Sequence, residues 1–166
     1  MIAIRRNRRS GQSLSELVGA LAVMTPLILI SIDLLSVCVG LAINDSTCRD
    51  AARAAAAGPP GDQTIGTRTV NSAKTPYIRA KAVVKNVYQS NLPMKIRDTL
   101  QVVETVKDYP PADRGGGSLD GEVSVETTID IYPPFFVHAL VGPSGVTLKT
   151  KHVVPFTYTI AASTTP

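Results

Sequence analysis

Glu16 stands where an acid is costly. A basic, polar leader with Arg5, Arg6, Arg8 and Arg9 and no acid ends at Gly11, and Gln12-Ser13-Leu14-Ser15-Glu16 then opens an apolar run, Leu17 to Ile32, that holds no charge. A carboxyl group at the lip of a membrane helix is expensive to bury, so it marks a functional position by default. Asp33 interrupts the run before it resumes as Leu34 to Ile43. It follows Glu16 by seventeen residues, about 25 Å along a helix axis, which predicts a place near the far interface. Exposure among headgroups and contact with a cationic partner residue both stay open for Asp33.

Other reactive side chains offer less. His138 and His152 fall in unrelated segments, without the His–Cys or His–carboxylate spacing of a metal site. Gly115-Gly116-Gly117 lacks the preceding strand and the following Lys-Ser/Thr of a phosphate loop. Gly142-Pro143-Ser144-Gly145 reads as a turn and not as a nucleophile elbow. No enzyme is expected, and no cofactor or metal. Cys38 and Cys48 are ten residues apart. On one straight helix that is about 15 Å, against a disulfide limit of roughly 7 Å between Cα atoms. They cannot pair within the chain, so Cys48 is expected to be exposed or packed, with an intermolecular bond as the remaining option. Asn44-Asp45-Ser46 satisfies the glycosylation pattern but lies inside an expected helix.

The elements that must position these residues follow from composition and period. Sixteen apolar residues before Asp33 cover about 24 Å, and continuing past it exceeds the ~30 Å hydrocarbon core of a bilayer. The stretch is too long for a secretory signal, and the first small-residue cluster, Ala51 to Gly58, lies too far downstream for a cleavage site. A retained membrane helix is expected. It continues through the alanine-rich Asn44 to Ala57, because alanine is the best helix former, and stops at Gly58-Pro59-Pro60-Gly61. Pro26 removes a backbone donor, so it either kinks this helix or is tolerated within it. A linker, 58–71, comes next. Thr75-Pro76 then starts a second helix to about Gln89, with Tyr77, Ala80, Val84, Val87 and Tyr88 at helical spacing.

Beyond Pro93 the period changes to two. Lys95 to Lys107 reads as a first strand, and Asp108 to Ser118, with Pro110, Pro111 and three glycines, as a loop. In the second strand Val123, Val125, Thr127, Ile129 and Ile131 alternate with Glu122, Ser124, Glu126, Thr128 and Asp130. Val146 to Ile160 supplies a third, where Pro155 suits an edge or a bulge. The expected class is α+β: a long N-terminal transmembrane helix extending outward, then a small domain with one helix, Tyr77–Tyr88, on an antiparallel sheet of about three strands. The divisions are 1–11 leader, 12–57 helix, 58–71 linker and 72–166 outer domain.

Charge excludes nucleic acid and sets an orientation. The 17 basic residues include the four of the leader, leaving thirteen against 13 acids, all of which lie beyond Gly11. Without its leader the body has no formal net charge and no footprint for phosphates. Lys74, Arg79, Lys81 and Lys85 read as a solvated helix face. Four arginines before the span, with only Arg49 and Arg53 closely after it, predict a cytoplasmic N-terminus and an outward-facing remainder.

Together these residues resemble the TadE-like minor pilins, or pseudopilins, of the tight-adherence (Flp-type) type IV pilus system. Arg8-Arg9-Ser10-Gly11-Gln12-Ser13-Leu14-Ser15-Glu16-Leu17 looks like the family's prepilin junction. Leu21 to Leu27 with Pro26, then Ile32-Asp33-Leu34, and Arg49-Asp50-Ala51-Ala52-Arg53-Ala54-Ala55-Ala56, are similar to its apolar segment, its acid-containing step and its helix end. Tyr132-Pro133-Pro134-Phe135 and the last strand match only loosely, and Leu17 and Gly19 depart from the pattern. The resemblance implies cleavage after Gly11 by a prepilin peptidase on the cytoplasmic side of a bacterial inner membrane, leaving a charged amine on Gln12. It also implies other pilin subunits, an inner-membrane assembly platform and membrane lipid as partners, and a filament that adheres. Glu16 would pair with a neighbouring subunit's Gln12 amine, since two unpaired charges in lipid are costly; snorkelling to the cytoplasmic interface is the other reading. An uncleaved, signal-anchored envelope binding module is the alternative function.

Overall fold

A computed structural model describes residues 9–62, 64–88, 94–97, 100–108, 116–142 and 144–160. Arg5, Arg6 and Arg8, and most of the expected loop at 108–118, lie outside the described residues.

Helix α1 (Arg9–Ala56) runs for 48 residues with Pro26 inside it, about 72 Å at 1.5 Å per residue. Past Ala56 the chain turns off at Gly58-Pro59-Pro60, as its composition requires. Strand β1 (Gly66–Thr69), helix α2 (Thr75–Tyr88), strands β2 (Met94–Ile96), β3 (Gln101–Asp108) and β4 (Gly117–Ile131), the short helix α3 (Phe136–Val141) and strand β5 (Val146–Ile160) follow.

The five strands form one antiparallel sheet built on β4. One edge of β4 carries β3, with Gln101 opposite Glu126, and then β2, with Met94 opposite Ile131. The other edge carries β5 over its whole length, from Gly117 opposite Ile160 to Ile131 opposite Val146. The alternation read from the sequence is the one observed: Leu119, Val123, Val125, Ile129 and Ile131 are buried on one face. The opposite face carries a ladder of ion pairs, Lys107–Glu122, Lys149–Glu126 and Arg97–Asp130, and is partly open up to Glu126, whereas Thr128 and Asp130 at its end are buried as well. Pro155 sits opposite Glu122 in β5, whose second edge has no partner among the described residues. It therefore lies in an edge strand, where a missing N–H costs nothing.

Three differences from the sequence reading have physical causes. The single strand expected at 95–107 is two, because β2 and β3 pair with the same edge of β4 in registers two residues apart. The linker contains β1, an edge strand whose Gly-Thr-Arg-Thr shows no apolar alternation because its side chains stay largely exposed. Most consequentially, the apolar face of the sheet is covered by α1 itself. Cys48, Ala51, Ala52 and Ala55 are buried in the same core as Val102, Val123 and Val125. Helix α2, expected on the sheet, packs chiefly along α1 through Ala80 and Val84.

Arg79 is the clasp between the two helices. Its Nε donates to the Ala54 carbonyl at 2.9 Å and its Nη2 to Ala55 at 2.6 Å and Pro59 at 3.2 Å. Carbonyls in the last turn of a helix have no partner within it, so a guanidinium placed there satisfies them. Arg79 is thus not one more solvated cation of its helix face.

Candidate functional site: an apolar span and the base of the domain

Within α1, the residues from Ser13 to Ile32 are all exposed except Pro26 and Leu29, which are half-buried. Leu14, Leu17, Val18, Leu21, Val23, Met24, Leu27 and Ile28 each expose more than half of their surface. Twenty helical residues span about 30 Å, the thickness of a hydrocarbon core. The hydroxyls inside this stretch are turned back on the helix: Thr25 Oγ1 donates to the Leu21 carbonyl and Ser31 Oγ to that of Leu27, both at 2.8 Å. That is how a polar side chain is accommodated where water is absent. The helix is long and apolar enough to cross a membrane.

Glu16 is exposed near the N-terminal end of this stretch. Arg9 opens α1, and Gly11 and Gln12 lie in its first turns. Pro26 sits midway along the exposed stretch without ending the helix. These positions share one helix.

Asp33 is different. Its side chain is 0% exposed. Oδ1 accepts the backbone N–H of Phe135 at 2.9 Å, and Oδ2 accepts that of Val137 at 2.8 Å. Neither the headgroup nor the cationic-partner reading holds, because both oxygens are taken up within the chain. A carboxyl group at the start of a helix satisfies N–H groups that the helix leaves unpaired; here it reaches them from another element, 102 and 104 residues away.

Asp33 begins a stripe along α1. Val37, Gly40, Asn44, Cys48, Ala51 and Ala55 follow it at steps of three or four and are all buried or half-buried, the spacing of one helical face. At Gly40 an added Cβ would collide with Cδ1 of the buried Ile131. The absence of a side chain there is what lets α1 lie against the end of β4. Asn44 is fully buried, donating to Thr150 Oγ1 at 2.9 Å and accepting from Thr127 Oγ1 at 2.9 Å and the Tyr88 hydroxyl at 3.2 Å. Its amide is committed to two strands and α2, which closes it to glycosylation in the folded chain. Cys48 is packed, with Sγ donating to the Val125 carbonyl at 3.2 Å, and burial pushes its thiol up from its ordinary value. Both cysteines are free, Cys38 exposed and Cys48 buried. His152 Nε2 meets Asp45 Oδ1 at 2.8 Å, joining β5 to α1.

Sequence reasoning missed the inward role of Asp33, Gly40 and Asn44. The signal that finds them is their mutual spacing: small and polar residues recurring at helical period within an apolar run mark a face that packs. Compared with protein-family models, curated proteins and solved structures, the chain matches none.

Proposed function

We propose that this chain is a bitopic, non-enzymatic minor pilin or pseudopilin. It is processed after Gly11 and used to initiate, cap or anchor assembly of a tight-adherence type IV pilus at the inner membrane of a bacterium. The observation that carries the reading is the division of α1. Its outer half is the core of an α+β domain, while Ser13 to Ile32 is apolar and uncovered. A folded domain exposes such a helix only to pass it into lipid or against other helices. Glu16 stands at the exposed end, where a neighbouring subunit's Gln12 amine would find it. The leader arginines keep that end cytoplasmic and the sheet outside.

One observation favours the uncleaved, signal-anchored binding module. Helix α1 continues through Gly11 and Gln12, and a peptide bond must leave a helix before a peptidase cuts it. The test is intact mass and N-terminal sequence of the membrane-extracted protein, with and without a co-expressed prepilin peptidase. A start at Gln12 that is lost in Gly11→Leu is the outcome expected of a pilin. A start at Met1 under both conditions would assign the chain to the anchor instead.

A further inference from the structure

We propose that the connection between β4 and β5, carrying Phe135, Phe136 and Leu140, is a second membrane contact that seats in the lipid–water interface beside the point where α1 emerges. The inference rests on the membrane reading above and adds to it a surface that the span does not contain.

Position is the first argument. Strand β4 runs down α1: Cys48 meets Val125, Asn44 meets Thr127, Gly40 faces Ile131, and Asp33 holds Phe135 and Val137. The connection therefore lies at the level of Asp33, where the twenty uncovered residues end. The same two hydrogen bonds pin it there, so with the span in lipid it cannot stand away from the surface.

Chemistry is the second. Two of the chain's three phenylalanines are here, 42% and 43% exposed, and Leu140, at 86%, is the most exposed large apolar side chain among the described residues. Leu34 and Leu35, flanking Asp33 on α1, are also open, at 57% and 62%. The patch is thus continuous with the lipid-facing surface of the helix. Its upper rim is amphipathic: Tyr132 is half-buried beneath the Lys95 ammonium, 5.7 Å from the ring centroid, and His138 is exposed. Aromatic rings with a cation above them are the composition of a membrane–water interface. A soluble protein covering this patch would itself have to enter the headgroups, which is why lipid is the occupant.

The test uses the full chain with Cys38→Ser, so that only an introduced thiol reacts, Cys48 being buried. Single cysteines at Leu27, Leu140 and Ser118 carry a bimane label. The protein is reconstituted in vesicles of phosphatidylcholine and phosphatidylglycerol, and quenching by bromolipid is compared with quenching by aqueous iodide. Ser118 is exposed at the far end of β4, about 40 Å from the base at the rise of a strand. Labels at 27 and 140 should be quenched severalfold more by bromolipid than the label at 118, which iodide should reach. If the label at 140 behaves like the one at 118 while that at 27 is in lipid, the contact is refuted and the membrane span stands. Protection at 140 from both quenchers would mean that protein covers the patch, which also refutes it. Iodide quenching at 27 would overturn the membrane reading and the inference with it.

Discussion

Replacing Asp33 with alanine should loosen the base of the domain without unfolding it. The side chain is fully buried and makes two hydrogen bonds, to the amides of Phe135 and Val137. A bond to a charged group contributes about 1.5–3 kcal/mol, and loss of a capping side chain typically costs ~0.5–2 kcal/mol. Two bonds, set against the recovered cost of burying the carboxyl group, leave a net loss of about 2–3 kcal/mol. Because α3 packs chiefly on α1, the loss should appear as local opening and not as a lower global stability. At 1.4 kcal/mol per tenfold, exchange of the Phe135 and Val137 amides should accelerate roughly 30- to 150-fold. Asp33→Asn keeps one good acceptor and should accelerate it about fivefold, the equivalent of ~1 kcal/mol. Hydrogen exchange followed by mass spectrometry on the protein in nanodiscs reads both. Wild-type rates at these amides in Asp33→Ala would refute the clamp. So would an equal acceleration at Ile129 in β4, since that would make the effect global.

Gly40→Ala should destabilise by about 1–3 kcal/mol through collision with Ile131, offset by up to ~1 kcal/mol of helix propensity. Ile131→Val removes the colliding methyl, so melts of the double variant should show a smaller loss than the two singles combined; simple additivity would deny the contact. Burial pushes the Asp130 carboxyl up, but the Arg97 and Thr147 bonds and the Arg97 charge outweigh it and hold the group below the usual carboxylate range. Its contribution is present above the unfolded pKa, about 3.9, and is lost as pH falls through the lower folded value. Urea melts of Asp130→Asn should therefore show less acid-induced loss below roughly pH 4 than the wild type; identical acid limbs would contradict this. A fluorescent maleimide should modify Cys38 in the folded protein and Cys48 only after denaturation, and early labelling of Cys48 by intact mass would refute its burial.

Local pattern determined a good part of this molecule. The alanine-rich helix end and the Gly58-Pro59-Pro60 stop place the C-terminal end of α1 within one residue, whereas its start at Arg9 lies three residues before the expected Gln12. Strict alternation at 122–131 named the buried face of β4, and helical spacing from Tyr77 named the packing face of α2, because period is a property of neighbours in sequence. Pro155 announced an edge for the same reason, as its missing donor is local. Which surfaces meet was decided elsewhere. Asp33 and Asn44 look like polar interruptions of an apolar helix until residues 44 to 106 positions away supply the groups they bond. Strand β1 has no apolar alternation to read, because it is held by its backbone pairing with β3 and by polar side-chain bonds of Thr67 and Arg68. The alanines of α1 favoured a free extended helix on propensity alone and Gly40 opposed one, yet their small or missing side chains are what let the helix lie close on the sheet. Propensity records what a residue allows its own backbone to do; burial depends on the shape of a partner, and that exists only once the chain has folded.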